Sequence, residues 1–317
     1  MNYLLLFVTI FFCKQHYAQQ VLLFENQVNL IPEGIAIHPG NGTIYISSIA
    51  QKKIIKIVPD GKPANFIKEG QDGFLEGLGM KVDTKRGFLW ALSNIRKGNM
   101  FTSQIHAFDL SSGKKTHQFI ITDTLPRLFN DLVIDPSGAL LITDSYHSSI
   151  YKYDPTQKNL EVFVHDTSKF KWPNGIEFLD ENNLVLATYG NGMVQVNIQS
   201  KRISALPGYQ DRVLAFGLDG LVANGNYLYG VYNAGSSGYL SNAVIKYTLN
   251  EQRDQIIAEE VIDRGNAAFA DPTTAAKFGN KLYVIANSHL DQFNANKETV
   301  KGIENVLTPL KLVLYRL

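Results

Sequence analysis

Cysteine is almost absent. Cys13 is the only one among 317 residues, so no disulfide framework can hold this fold together. An excess of either charge is missing too. Thirty Lys and Arg stand against 29 Asp and Glu for a formal net charge of +1, which offers no footing for nucleic acid or an anionic membrane surface. No apolar run is long enough to cross a bilayer. No window sustains a helical period, which removes α/β architectures. No Pro-, Gly- or Ser-rich linker divides the chain, so one domain is expected. The serine elbow of α/β hydrolases, the glycine loop that cradles phosphate and the ligand spacing of zinc sites are also missing. A Ser–His–Asp enzyme is therefore set aside.

The longest apolar stretch, Tyr3 to Cys13, has the length of a signal-peptide core, and polar Lys14, Gln15 and His16 follow it. Ala18 is the expected cut. Residues 1–18 are accordingly read as a signal peptide and 19–317 as the mature domain, secreted or periplasmic. Bulky Phe11 and Phe12 argue against a lipid anchor at Cys13, and the mature chain would hold no cysteine.

What the sequence does have is aromatic and β-branched residues in short runs, with 15 Tyr and 18 Phe. It also repeats. Six segments open with an acid or amide and continue as a short, largely apolar strand. They are Glu33-Gly-Ile-Ala-Ile, Glu76-Gly-Leu-Gly-Met, Asn130-Asp-Leu-Val-Ile, Asn174-Gly-Ile-Glu-Phe, Asp219-Gly-Leu-Val-Ala and Asp271-Pro-Thr-Thr-Ala. Each meets a turn signal, such as Asp135 to Gly138 or Gly279-Asn280, and then a second strand. Recurrence at roughly 45-residue intervals, with four short strands per unit, marks an all-β, six-bladed β-propeller. The sixth unit is one strand short. Val21 to Phe24 is expected to supply that strand beside Leu310 to Tyr315, closing the ring and covering an open edge.

In a propeller the first strand of each blade lines the channel. Glu33, Glu76, Asn130, Asn174, Asp219 and Asp271 are therefore expected at one mouth. The longer connections, 94–103, 233–242 and 287–308, should surround it. Four carboxylates and two amides on one axis repel one another unless some protonate or a cation joins them. All six offer hard oxygens, and no Lys or Arg shares their positions. That set suits Ca2+, with Mg2+, Mn2+ or Zn2+ as lesser substitutes in vitro. Arg96, Tyr146, His147, Tyr232 and His289 are expected on the same face as candidates to shape a substrate pocket. His38, His106, His117 and His165 read as strand or turn residues.

The sequence also resembles the regucalcin and gluconolactonase family over essentially the whole mature chain, and more distantly the diisopropyl fluorophosphatase and paraoxonase propellers. The resemblance is carried by Pro32-Glu33-Gly34, by Asn130-Asp131 with Asp135-Pro136-Ser137-Gly138, by Pro173-Asn174-Gly175-Ile176 and by Asp219-Gly220. It implies that Glu33, Asn174 and Asp219 bind a divalent metal and that Asn130 touches metal or substrate. It further implies hydrolysis of a lactone, ester or phosphoester, with Asp219 as base or nucleophile and Asn130 orienting the substrate oxygen. Ile35 stands where the family commonly has Pro, and Glu76 and Asp271 add acidity that many members lack. The expected partner is a small-molecule substrate, the expected state a monomer, and no membrane contact is expected once the signal is removed. Two other readings stay open. One is a non-catalytic propeller that binds a ligand or protein around a structural calcium. The other is a strictosidine-synthase-like propeller without metal, against which the acidic ring argues.

Overall fold

The computed structural model describes residues 19–209, 216–233 and 242–317. Residues 1–18, with the expected signal peptide and Cys13, lie outside the described residues, as do 234–241 of the second long connection. The chain enters with β1 (Gln19–Phe24), which belongs to the last blade. Blade 1 follows as β2 (Pro32–Ile37), β3 (Ile44–Ser48), β4 (Lys53–Ile57) and β5 (Ala64–Ile67). Blade 2 is β6 (Glu76–Asp83), β7 (Phe88–Lys97), β8 (Met100–Asp109) and β9 (Lys115–Asp123). Blade 3 is β10 (Phe129–Ile134), β11 (Leu140–Asp144), β12 (Ser149–Asp154) and β13 (Asn159–His165). Blade 4 is β14 (Pro173–Phe178), β15 (Asn183–Thr188), β16 (Gly192–Asn197) and β17 (Ile203–Ala205). Blade 5 is β18 (Leu218–Asn224), β19 (Tyr227–Asn233), β20 (Asn242–Leu249) and β21 (Ile256–Arg264). Blade 6 is β22 (Ala275–Phe278), β23 (Lys281–Ile285) and β24 (Leu310–Arg316). Every blade is a four-stranded antiparallel sheet, and the innermost strands touch in sequence around a ring, β22 returning to β2. This is the six-bladed propeller that the repeat announces.

The core is six seams rather than one centre. Side chains alternate across a strand, so a strand sandwiched between two blades feeds both. In β11, Leu140 and Ile142 pack toward blade 2, and Leu141 packs toward blade 4. In β3, Ile44 and Ile46 face blade 6, and Tyr45 faces blade 2. The last seam depends on the chain ends. β1 pairs antiparallel with β24 from Gln19 opposite Tyr315 to Phe24 opposite Leu310, so the fourth strand of blade 6 comes from the front of the chain as expected. Leu22 and Phe24 join the blade 1–blade 6 core, and Val21 and Leu23 face solvent.

The innermost strands share a defect that positions the site. In blades 1 to 5 the register against the second strand slips by a bulge, between Pro32 and Ile35, Gly77 and Met80, Phe129 and Leu132, Pro173 and Ile176, and Leu218 and Leu221. A bulge leaves two residues opposite one and redirects the side chain it frees. Neighbouring innermost strands come very close there. A Cβ on Gly34 would stand 2.1 Å from the Leu78 carbonyl oxygen, so only glycine fits. Hydroxyls stitch the same level together. Ser47 Oγ donates to the Leu78 carbonyl at 2.7 Å, Thr143 Oγ1 to that of Asn174 at 2.7 Å, and Thr273 Oγ1 to that of Glu33 at 3.1 Å.

Two connections differ in kind. The 94–103 segment is not a loop but the continuation of the β7–β8 hairpin, which pairs without a break from Phe88 opposite Asp109 to Lys97 opposite Met100. The 287–308 segment carries the short helix α1 (Leu290–Ala295) and lies over blade 1, where Phe293 and Leu307 bury Ile31. No described helix is long and apolar enough to cross a membrane.

Candidate functional site

All six residues expected at the mouth line one cavity of about 340 Å³. They form two levels, not one ring. The bulges place Glu33, Asn130, Asn174 and Asp219 at equivalent positions, each followed by the residue packed against the next blade. By the same register blade 2 presents Leu78, not Glu76, and blade 6 presents Thr273, not Asp271. Glu76 and Asp271 come two residues earlier in their blades and reach the cavity from an outer level. Alignment by the first acid in each segment put both of them in the inner ring. The bulge, which no acid marks, sets the true register.

Of the inner four, Glu33, Asn130 and Asp219 are buried and Asn174 is half-buried. Asp219 accepts from the side-chain amides of both Asn174 and Asn233, one on each carboxylate oxygen. Asn130 Nδ2 donates to Ser145 Oγ at 3.0 Å, and Ser145 Oγ donates to the Pro173 carbonyl at 2.7 Å. Glu33 Oε2 and Asn233 Oδ1 are buried acceptors without a hydrogen-bond partner among the described residues. Burial pushes the Glu33 carboxyl well up, and Asp219, Asp271 and Asp131 repel it further. Burial also raises Asp219, against the pull of the Asn233 and Asn174 amides. At the outer level, Asp271 is raised by burial and accepts the Asp291 backbone N–H at 2.7 Å. Glu76 is raised by burial too, with Lys52 at 3.6 Å holding it back. Among the described residues no three His, Cys, Asp or Glu side chains cluster closely enough to hold a metal by themselves. Any cation here must draw on the amides as well.

Below the mouth the channel continues as a cavity of about 410 Å³. Asp131 sits there with Lys81 and Glu177, whose Nζ and Oε1 are 3.0 Å apart. Burial raises Asp131 to about 6 against the pull of Lys81.

The pocket candidates divide. Tyr146 lines the mouth, half exposed, edge-on to Phe101 at 6.3 Å. Arg96 does not line it. Its guanidinium lies over the Phe101 ring at 5.2 Å, one ring behind Tyr146. His147 turns away to stack on His165 at 4.8 Å and meet Tyr151 Oη at 3.0 Å. Tyr232 is fully buried in the blade 4–blade 5 seam, its hydroxyl between those of Tyr209 and Tyr247. A tyrosine one residue from a strand end points inward by alternation. His289 is buried beneath the blade 6 segment, bonded to Thr308.

Other lining residues were not foreseen, and Asn233, Tyr189 and Trp172 are the ones that shape the site. Asn233 and Tyr189 close their second strands at the position that Ser145 takes in blade 3, so the repeat rule applied to second strands would have found them. Trp172 lies just before Pro173, and no periodicity marks it.

Fold and mouth together define a six-bladed propeller whose channel opens through an acid- and amide-lined cavity. No protein-family model matches the chain, and no curated protein matches its sequence. Solved structures do match its fold. XC5397 from Xanthomonas campestris, a gluconolactonase, is 16% identical with a TM-score of 0.64, covering 94% of this chain and 90% of that one. A luciferin-regenerating enzyme is 13% identical with a TM-score of 0.60, covering 95% and 96%. The PQQ-bound aldose sugar dehydrogenase from Streptomyces coelicolor is 12% identical with a TM-score of 0.63, covering 94% and 98%. The gluconolactonase is of the kind that the motifs resemble. At these identities the likeness is one of fold, and hydrolytic and redox chemistry share it, so function rests on the site.

Proposed function

We propose that this chain is a divalent-cation-dependent hydrolase, gluconolactonase-like, that opens a small-molecule lactone, ester or phosphoester at the mouth. The carrying observation is the inner level itself. Two buried carboxylates, Glu33 and Asp219, lie among amides with no Lys or Arg among the described lining residues. Glu33 Oε2 and the neighbouring Asn233 Oδ1 lack a donor among the described residues. An unpaired buried acceptor costs about 1–3 kcal/mol, more when charged. A hard cation removes that cost, and an all-oxygen donor set suits calcium best. The two ends of an amide are alike in shape. Half a turn of Asn174 and Asn233 would bring carbonyl oxygens beside the Asp219 carboxylate, an arrangement that a cation reconciles.

Glu33, Asn174, Asp219 and Asn130 would hold the ion. When bound, it would polarise the reacting carbonyl or phosphoryl oxygen. Asn130 is fixed through Nδ2 by Ser145, which leaves its carbonyl end for the ion or the substrate. Asp219 is assigned the base or nucleophile. Water adds across the acyl–oxygen bond: its oxygen joins the carbonyl carbon, and a proton goes to the departing alkoxide. If residues 1–18 export the chain as a monomer, an affinity of only about 10⁻⁴–10⁻³ M would suffice, as in other extracellular calcium modules.

The test is a calcium, magnesium and manganese titration by calorimetry on wild type and Asp219→Asn, alongside hydrolysis of a lactone and ester panel. Wild type should bind calcium and hydrolyse at least one class, and the variant should do neither. Calcium binding without turnover would leave a ligand-binding propeller with a structural ion. Turnover that survives chelation would sink the cation-dependent reading.

A further inference from the structure

The mouth has two unlike walls. One is acidic. Glu76, Asp271, Asp291 and Glu298 line it together with Glu33 and Asp219, and no Lys or Arg lines the cavity among the described residues. Even a bound divalent ion leaves this wall a surplus of carboxylates. The other wall is aromatic. Trp172 is 50% exposed at the rim and meets Phe216 edge-on at 6.1 Å. Phe216 meets Tyr189 at 5.2 Å, and the Tyr189 hydroxyl donates to the Asn233 carbonyl at 2.9 Å. The indole leaves a blade entry whose backbone recurs elsewhere in the ring, with Trp172 at φ 53 before Pro173 as Ile31 is at φ 46 before Pro32 and Asp271 at φ 58 before Pro272. A broad apolar ring left half in water at the rim of a polar cavity is surface that a ligand can cover.

We propose that the substrate is an uncharged lactone or ester bearing an apolar ring or branched substituent. The substituent lies on Trp172 and its Phe216–Tyr189 backing, while the reacting carbonyl reaches Asn130 and Asp219. The inference rests on the hydrolase reading and narrows it. The acidic wall rejects phosphorylated and carboxylated substrates, which removes anionic phosphoesters from the class. It also favours release of the product. A neutral ester enters, and hydrolysis turns it into an acid whose carboxylate the same wall expels.

The experiment uses the full mature chain with calcium and three γ-lactones, one phenyl-substituted, one unsubstituted and one bearing a carboxylate. The phenyl lactone should have the highest kcat/KM, exceeding the carboxylate lactone by about a hundredfold, the effect of a few like charges at short range. Trp172→Gly suits the positive φ and so keeps the fold. It should lower kcat/KM for the phenyl lactone about tenfold more than for the unsubstituted one, mainly through KM. Trp172→Phe should restore most of the difference. Glu76→Gln with Glu298→Gln should narrow the gap to the carboxylate lactone. Equal use of all three lactones, or an equal loss on each in Trp172→Gly, overturns the assignment. Binding is read separately. Trp90 is buried and Trp172 is the only other tryptophan, so ligand at this wall quenches Trp172 emission. Quenching by the phenyl lactone without turnover keeps the wall and removes the hydrolase. Absence of both quenching and turnover removes the wall.

Discussion

A buried titrating side chain tells most when its charged form has nowhere to go. His106, in β8, is fully buried between stacked Phe108 at 5.3 Å and edge-on Phe74 at 5.5 Å. Its Nε2 meets the Gln118 amide at 3.1 Å, and its Nδ1 has no partner. Burial lowers its pKa from 6.5 to about 4. The folded pKa lies below the unfolded one, so between those values the unfolded chain binds the extra proton. Stability that is whole above about pH 6.5 is therefore lost as pH falls toward about 4, by up to about 3 kcal/mol. Urea melts across that window should show the fall in wild type and a much shallower one in His106→Leu. An equal slope in both would mean that the imidazole is not held neutral. A histidine within an apolar run reads as a strand residue from sequence, which is what it is. Its missing Nδ1 partner depends on three packed neighbours, which sequence does not show. Asn233 and Tyr232 make the complementary point. Adjacent in sequence, they face the mouth and a seam respectively, and only the register decides which.

At the scale of the element, the innermost strand of each blade carries both fold and site through its bulge. Gly34 marks the contact most sharply, since the atom that its Cβ would strike is backbone of the neighbouring strand. Gly34→Ala should cost about 1–3 kcal/mol or more, the usual range of overpacking, and should weaken cation binding by displacing Glu33. Gly40, whose Cβ would meet only the mobile edge of the His38 ring at 3.2 Å, is the control, with an expected change within about 0.5 kcal/mol. Chemical melts of both variants decide it. A neutral Gly34→Ala would mean that the seam opens without cost. The sequence revealed the six strands, their order and six residues of the mouth, because turn signals and Asx-Gly or Glu-Gly pairs punctuate them. It put Glu76 and Asp271 on the inner level, where the blades present Leu78 and Thr273. In blade 2 the bulge falls on Leu78-Gly79, where the ring position is apolar, and in blade 6 the ring position is Thr273, followed by Thr274 rather than glycine. An acid two residues upstream mimicked the pattern in both.

For the whole molecule, closure and charge are linked. Six seams and the β1–β24 pairing fix the innermost strands, so the mouth carboxylates cannot move apart to relieve their repulsion. Burial, then mutual repulsion, raises Glu33 and Asp219, and burial raises Asp271. Their unfolded counterparts titrate near 4.5 for Glu and 3.8 for Asp. In chelator the folded chain therefore holds protons that the unfolded chain has released. The stability conferred by these acids is whole below the unfolded values and is lost as pH rises through the raised folded ones. His106 acts in the opposite sense below about pH 6.5, so the comparison belongs between wild type and Asp219→Asn, which share it. In EDTA the wild-type Tm should fall from about pH 6 to about pH 8, and that of Asp219→Asn should fall less. Added calcium should raise the wild-type Tm most at the alkaline end, because an ion that binds only the folded state stabilises it by mass action and keeps its carboxylates ionised. Calcium should leave the variant nearly unmoved. A wild-type curve that is flat in EDTA and indifferent to calcium would mean that the mouth settles its charge by protonation or by water, and the reading of it as a cation site would fall with that result.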